Sequence, residues 1–412
     1  CQMFYQARTG MAECMTYISM HAAIPRFCRP LEMQCTVKCD YKRSMKMRSR
    51  ERVLRALNRQ ETDRTPRDFG GTVVTCPEYY AHKRLRQYFQ ILDADDPIID
   101  YTMGTVAACE ELMLKFGSDV RRVGLNVVPP QIENGMFTSG FGIRFKRAEP
   151  HLYYDAVYHP LAEAEIEDLD DMTLPNPDDP ALYHGLRDRA KDLFDNSPFA
   201  VVADFGVPGF YETSQKLRGY ENLACDLLVD TEFVTALYDK LLELQKRYFK
   251  NYIEHVAPYA QVICYADDLG MQDRLQMAPE TYRAVIKPYH KKIFDYIHSL
   301  ADIKILMHCC GAITDVIDDL AEIGVDALNP VQVRAAGMSP ERLGRDFGGK
   351  IAFWGGVDEQ KLLPHDTPAQ VSAEAHRLCK ELGSGYILAP GHCIQADTPP
   401  ENVAAIYCWK PD

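Results

Sequence analysis

Eight short apolar runs, separated by longer stretches with helical periodicity, constrain this chain more than any other feature of its sequence. They are "TPRDF" (65–69), "DVRRVGL" (119–125), "FAVVADF" (199–205), "AQVICYA" (260–266), "IKILMH" (303–308), "VDALNP" (325–330), "IAFWGG" (351–356) and "GYILAP" (385–390). Runs this far apart cannot pair through tight hairpins, so they are expected to lie parallel, each joined to the next by a helix. Helical patterns fill Glu221 to Phe249, Pro279 to Leu300, Ile313 to Ile323 and Pro368 to Leu382. Eight such units predict an α/β fold, a (β/α)8 TIM barrel. The second run is the weakest, because Arg121 and Arg122 interrupt it.

Between the second and third runs the chain makes an excursion over roughly 130–195, with "FGIRFKR", "HLYYDAVYHP" and the acidic "EAEIEDLDDMTLPNPDDP". It reads as an insertion between strands 2 and 3: a β-hairpin, then a loop leading into a helix. The barrel is expected to occupy 47–412, opening on the basic amphipathic "MKMRSRERVLRALNRQ". Residues 1–46 show no period and hold five of the 14 cysteines. They read as an extension upstream of a natural beginning at Met47, outside any domain. Cys35 and Cys39 have no second ligand pair of recognised spacing, so a structural metal site there is not expected.

Composition removes whole classes of function. A formal net charge of −13 argues against nucleic acid or an anionic membrane as partner, since both recruit basic patches. No stretch approaches the roughly 20 apolar residues of a membrane span. The scattered cysteines follow no disulfide framework and point to thiols in a reducing, cytoplasmic setting. Small molecules and proteins remain as partners.

In a barrel of parallel strands the active site forms where the strands end, so the polar residues just after each run are the candidates. These are Asp68, Asp204, the pair Asp267 and Asp268, His308 with Cys309 and Cys310, Asn329 and Gln332, Trp354 and Asp358, and finally His392 and Cys393. His308 and Cys310 are two apart, so in extended chain both side chains share a face. Imidazole and thiolate together suit a borderline-soft ion such as Zn²⁺. His392 and Cys393 compete as the third ligand, and three protein ligands leave an open position, the mark of a catalytic zinc. Of the adjacent carboxylates Asp267 and Asp268, one is expected to face the mouth as acid, base or substrate anchor, and the other to cap a helix. "FWGGVD" matches no phosphate-binding fingerprint, so nucleotide binding is not expected.

The stretch "HCCGAITDVIDDLAEIGVDALNPVQVRAAGMSPERLGRDFGGKIAFWGGVD", with "YADDLGMQ" before it and "YILAPGHCIQADTPPENV" after it, resembles the uroporphyrinogen decarboxylase superfamily. The likeness runs from about Met47 to Tyr407 and is strongest to the corrinoid-linked methyltransferase branch, to which "RERVLRALNRQETDRTPRDFGGT" is also similar. The resemblance implies a (β/α)8 barrel. It also implies a zinc ion that holds a thiol substrate as thiolate for attack on a methylated corrinoid, supplied by a partner corrinoid protein. The branch ligates zinc through an H-x-C-G motif, matched by His308, Cys310 and Gly311, and a late P-G-C motif. Here the second motif is "PGHC", so His392 stands in the cysteine's place and Cys393 one later. The decarboxylases proper are metal-free and carry an early R-Q-A-G-R segment, whereas "TPRDFGGT" has Arg67 as its only arginine.

The expected function is therefore zinc-dependent methyl transfer between a corrinoid and a thiol or other small methylated substrate. Asp267 is expected to orient the substrate or its proton, and Asn329, Gln332, Trp354 and Asp358 to line the corrinoid-facing mouth. Two alternatives compete: decarboxylation of a porphyrinogen, with Asp68 or Asp267 stabilising a protonated pyrrole, and a non-catalytic corrinoid-binding barrel.

Overall fold

Seven of the eight runs are strands of one parallel sheet: Val120–Val123, Ala200–Ala203, Val262–Ala266, Lys304–His308, Ala327–Asn329, Ala352–Val357 and Tyr386–Pro390. They stand in sequence order, each paired in parallel with the next. The computed structural model describes residues 47–148, 153–204, 206–207 and 209–408. The expectations for residues 1–46 lie outside the described residues.

The remaining run reaches both edges of this sheet without forming a ladder. Arg67 makes an isolated parallel bridge to Leu388. The Asp68 amide donates to Leu388 O at 2.8 Å, and the Leu388 amide to Pro66 O at 2.9 Å. On the other side the Asp119 amide donates to Arg67 O at 2.7 Å. Pro66 has no N–H to extend the ladder. The architecture is α/β and TIM-barrel-like.

Alternation sorts the strand residues into two cores. Val120, Ala200, Val202, Val262, Cys264, Leu306, Ala327, Ala352, Trp354, Ile387 and Ala389 pack with one another inside the curled sheet, joined by Val53, Ala56 and Leu57 of the helix Ser49–Leu57. The small alanines make room for Trp354, which is fully buried. The opposite faces of the strands pack on the surrounding helices in a larger core. Arg121 and Arg122, which weakened the second run as a strand, obey the same alternation. Arg121 turns outward to Glu110 at 2.7 Å and over the Phe199 ring, while Arg122 follows Val120 on the inner face.

The helical pattern Glu221 to Phe249 is two helices, Tyr220–Val229 and Thr231–Val256. Asp230 divides them: its carboxylate accepts the Phe233 amide and caps the second helix. Between the second and third runs the chain forms three antiparallel strands, Met136–Thr138, Arg144–Arg147 and Tyr154–Tyr158, where a hairpin was expected. The third strand pairs because Phe137, Phe145 and Tyr154 share an aromatic face, with Phe137 and Phe145 stacked at 5.0 Å. No helix among the described residues is long and apolar enough to cross a membrane.

Candidate functional site

The strand Lys304–His308 keeps its extended course past its last residue because three successive amides are each taken by a different neighbour. The Cys309 amide donates to Asn329 O at 2.6 Å, the Cys310 amide to Asp268 Oδ1 at 2.8 Å, and the Gly311 amide to Gln332 Oε1 at 2.6 Å. His308 and Cys310 therefore face the same way, with Cys310 Sγ 3.4 Å from His308 Nε2. Cys309 points into the core, its sulfur accepting the Leu269 amide at 3.3 Å. Gly311 ends the segment at φ 93°, and a Cβ there would fall 2.4 Å from the carbonyl carbon of Gly270. Only glycine fits that turn.

The His308 ring is oriented by a chain of hydrogen bonds across the sheet. Asn329 Nδ2 donates to Trp354 O at 3.0 Å, which turns the Asn329 oxygen toward His308 Nδ1, 2.6 Å away. Nδ1 must then be the donor, and Nε2 is the nitrogen that meets Cys310. Trp354 continues the chain, its Nε1 donating to Asp68 Oδ2 at 2.8 Å.

His392 arrives from the opposite side of the rim, after Tyr386–Pro390. Gly391 lets the chain pass close to Glu359, whose Oε2 a Cβ would meet at 2.2 Å. The His308 and His392 rings lie edge to face with centroids 5.2 Å apart. One donor atom from each of His308, Cys310 and His392 lies within 4.8 Å of the other two, and all three residues are buried. This is the one such histidine, cysteine and carboxylate group among the described residues. Cys393 is not part of it. Its sulfur is 3.0 Å from Gln395 Nε2 and 3.5 Å from the hydroxyl of Tyr153, which the three-stranded excursion delivers to the rim.

Burial alone would lower the proton affinity of both imidazoles, yet both are raised. Cys310 and Asp268 outweigh burial at His308, and Cys393, Cys310 and Glu359 push His392 up to about 10. The site thus favours positive charge. Glu359 itself is pushed up to about 7 by burial, with His392 opposing.

The two adjacent carboxylates divide as expected in kind but not in identity. Asp267, read from sequence as the group acting on substrate, caps the helix Phe210–Arg218. It accepts the Tyr211 amide at 3.0 Å and the Glu212 amide at 2.7 Å, and pairs with buried His290 at 2.9 Å. Asp268 faces the donor group instead, 3.7 Å from His308 Nε2. Two other expectations also need correction. Trp354 is packed inside the sheet rather than lining an open mouth, and Asp358 caps a turn by accepting the amides of Gln360, Lys361 and Leu362. Asn329 and Gln332 buttress the His308–Gly311 segment. Asp68 is fully buried, accepts the Gly71 amide at 2.7 Å, and is pushed up to about 6 by burial against its hydrogen bonds. The alternation of Val262 and Cys264 on the inner face places Asp268, not Asp267, inward. Tyr153 carried no local signal in the sequence.

A model of the uroporphyrinogen decarboxylase (URO-D) family matches residues 164–408. A uroporphyrinogen decarboxylase of Alkalilimnicola ehrlichii is 24% identical over 88% of this chain and 93% of its own length. The methylcobamide:CoM methyltransferase MtbA of Methanosarcina acetivorans is 27% identical over 45% of this chain and 51% of its own. Among solved structures, a methyltransferase from Methanosarcina mazei superposes with a TM-score of 0.59 at 18% identity, covering 88% of this chain and 97% of that one, a likeness of fold.

Proposed function

The chain belongs to the uroporphyrinogen decarboxylase family, and we propose that it works on the methyltransferase side of that family. In this reading it is a zinc-dependent enzyme that moves a methyl group between a corrinoid, held by a partner protein, and a thiol or similar small acceptor. The observation that carries it is the convergence of His308, Cys310 and His392. Resemblance to MtbA supports the corrinoid.

The donors fit zinc. In a tetrahedral site with ordinary Zn–N and Zn–S bonds, nitrogen and sulfur stand about 3.5 Å apart, and His308 Nε2 and Cys310 Sγ are 3.4 Å apart. His308, Cys310 and His392 would hold the ion and leave one position for an incoming thiol. When bound, zinc supplies Lewis acidity that keeps this thiol as thiolate near neutral pH.

The protein's own part is positional. Asn329 holds the His308 proton at Nδ1, so Nε2 is available to the site. Asp268 fixes the Cys310 backbone and adds negative charge beside the imidazole, which favours a cation there. Gln332 fixes the turn that follows. We also read the sheet together with the Arg67 bridge as a closed (β/α)8 barrel spanning 47–412, the three-stranded sheet as an insertion between its strands 2 and 3, and the protein as cytoplasmic.

The test is turnover of methylcobalamin with small thiols, followed by loss of the cobalt–methyl absorbance. Activity is expected to vanish on chelation, to return with zinc, and to be absent in Cys310→Ala. Decarboxylation is the second reading, favoured by the 88% coverage of the A. ehrlichii relative. It would instead give release of CO2 from a carboxylated porphyrinogen that is indifferent to chelator and to Cys310→Ala.

A further inference from the structure

The two histidines of the donor group are held in different ways. At His308 one acceptor, Asn329 Oδ1, faces Nδ1 at 2.6 Å and fixes the proton there. At His392 two groups of opposite character face Nδ1, and both belong to the next residue. The Cys393 amide, a donor, lies 2.8 Å away, and the Cys393 sulfur, which can accept, lies 3.2 Å away.

A neutral imidazole carries one N–H, so these two neighbours select different tautomers. Accepting the amide puts the proton on Nε2 and closes that nitrogen to an ion. Donating to the sulfur puts the proton on Nδ1 and leaves the Nε2 lone pair for the donor group. Among the described residues the sulfur is the one acceptor within reach of Nδ1. It is also held in place. Cys393 is fully buried, Gln395 Nε2 donates to its sulfur at 3.0 Å and to its carbonyl oxygen at 2.8 Å, and the Tyr153 hydroxyl stands 3.5 Å from the sulfur. That hydroxyl can take the S–H proton, so a neutral thiol keeps lone pairs for Gln395 and for the ring. The arrangement needs no ionised sulfur.

We propose that Cys393 is a positioning residue, whose sulfur accepts the Nδ1–H of His392 and so presents Nε2 as the third donor atom beside His308 and Cys310. This rests on the metal centre of the proposed function and adds the residue that makes His392 a ligand. Cys393 does for His392 what Asn329 does for His308, from the next residue in the chain rather than from a neighbouring strand. The sulfur stands at the Nδ1 end of the ring and outside the donor group, which leaves Nε2 as the nitrogen for that group. Without the sulfur, the contact left at Nδ1 is the amide, and it favours the tautomer that cannot ligate through Nε2. The adjacent residues of "PGHC" thus have separate tasks: His392 meets the ion and Cys393 orients His392.

Zinc affinity of the full chain, measured by competition with chromophoric chelators, tests this in Cys393→Ala and Cys393→Ser, each alone and on a His392→Ala background. Alanine is expected to weaken zinc roughly 10- to 100-fold at unchanged stoichiometry, and serine, whose hydroxyl also accepts, to recover most of that loss. On the His392→Ala background the same two changes should alter the residual affinity by less than about twofold, since the residue they serve is gone. Two-bond proton–nitrogen NMR of the zinc-loaded chain with isotope-labelled histidines should place the His392 proton on Nδ1, the signal being identified by its loss in His392→Ala. Wild-type affinity in Cys393→Ala, a serine no better than alanine, an undiminished effect on the His392→Ala background, or a His392 proton on Nε2 overturns the positioning role and leaves the metal centre standing. A wild type that takes up no zinc overturns both.

Discussion

The two ends of the curled sheet handle charge in opposite ways. At the amino end, Asp119 accepts Arg52 Nη1 at 2.7 Å, both Arg64 Nη groups at 2.7 and 2.9 Å, and the Arg67 amide at 2.9 Å. Arg52 also grips Asp63 at 2.6 and 2.8 Å, and the helix Ser49–Leu57 plugs the end beneath. The charges of Arg52, Arg64, Asp63 and Asp119 there meet their opposites. At the carboxyl end, three potential metal-ligating side chains, His308, Cys310 and His392, face one another. In the proposed function a metal ion completes that group. In that reading one end is finished by folding, the other by binding.

The largest effect should come from breaking the finished end. Asp119→Ala leaves the guanidinium of Arg52, 5% exposed, without its buried partner. Denaturant unfolding is expected to show a loss of about 3–5 kcal/mol, and a loss below about 1 kcal/mol would mean that the network is not structural.

Next in size is the support of the unfinished end. Asn329→Leu removes the acceptor that fixes the His308 tautomer. Zinc affinity, measured by competition with a chromophoric chelator, should weaken roughly 10- to 100-fold with the fold intact. A change under about twofold would detach Asn329 from the site.

The smallest effect separates the two ends by pH. Burial raises Asp68 from 3.8 to about 6, so its contribution to stability is fully present below the unfolded value and is lost as pH rises through about 6. Asp63 runs the other way: the Arg52 hydrogen bond holds it below the usual carboxylate range, so its contribution is present at neutral pH and lost only in stronger acid. Acidifying from pH 7 to pH 5 should therefore stabilise the wild type by on the order of 1 kcal/mol relative to Asp68→Asn. Equal pH profiles for the two proteins would show that Asp68 is ionised without penalty.

Much of this was legible in the sequence, for a physical reason. Strand residues alternate and helical residues recur at three or four, so the strands stood out as apolar runs, and Arg121 and Arg122 only obscured one of them. The i, i+2 spacing of His308 and Cys310 gave their shared face for the same reason. What escaped depends on register and on paths through loops. Which member of the pair Asp267–Asp268 faces inward is set by one residue of register. Whether His392 or Cys393 meets the donors is set by the turn at Gly391, and the capping of Asp358 by three amides that follow it. Tyr153 reaches Cys393 across the whole excursion, a contact no local pattern encodes.

The most direct measurement is the zinc content of the purified chain by elemental analysis, in wild type, Cys310→Ala, His392→Ala and Cys393→Ala. About one zinc per chain is expected in wild type and in Cys393→Ala, with loss in Cys310→Ala and His392→Ala. No zinc in wild type even after metal is offered, or loss in Cys393→Ala with retention in His392→Ala, would contradict the metal centre described for the carboxyl rim.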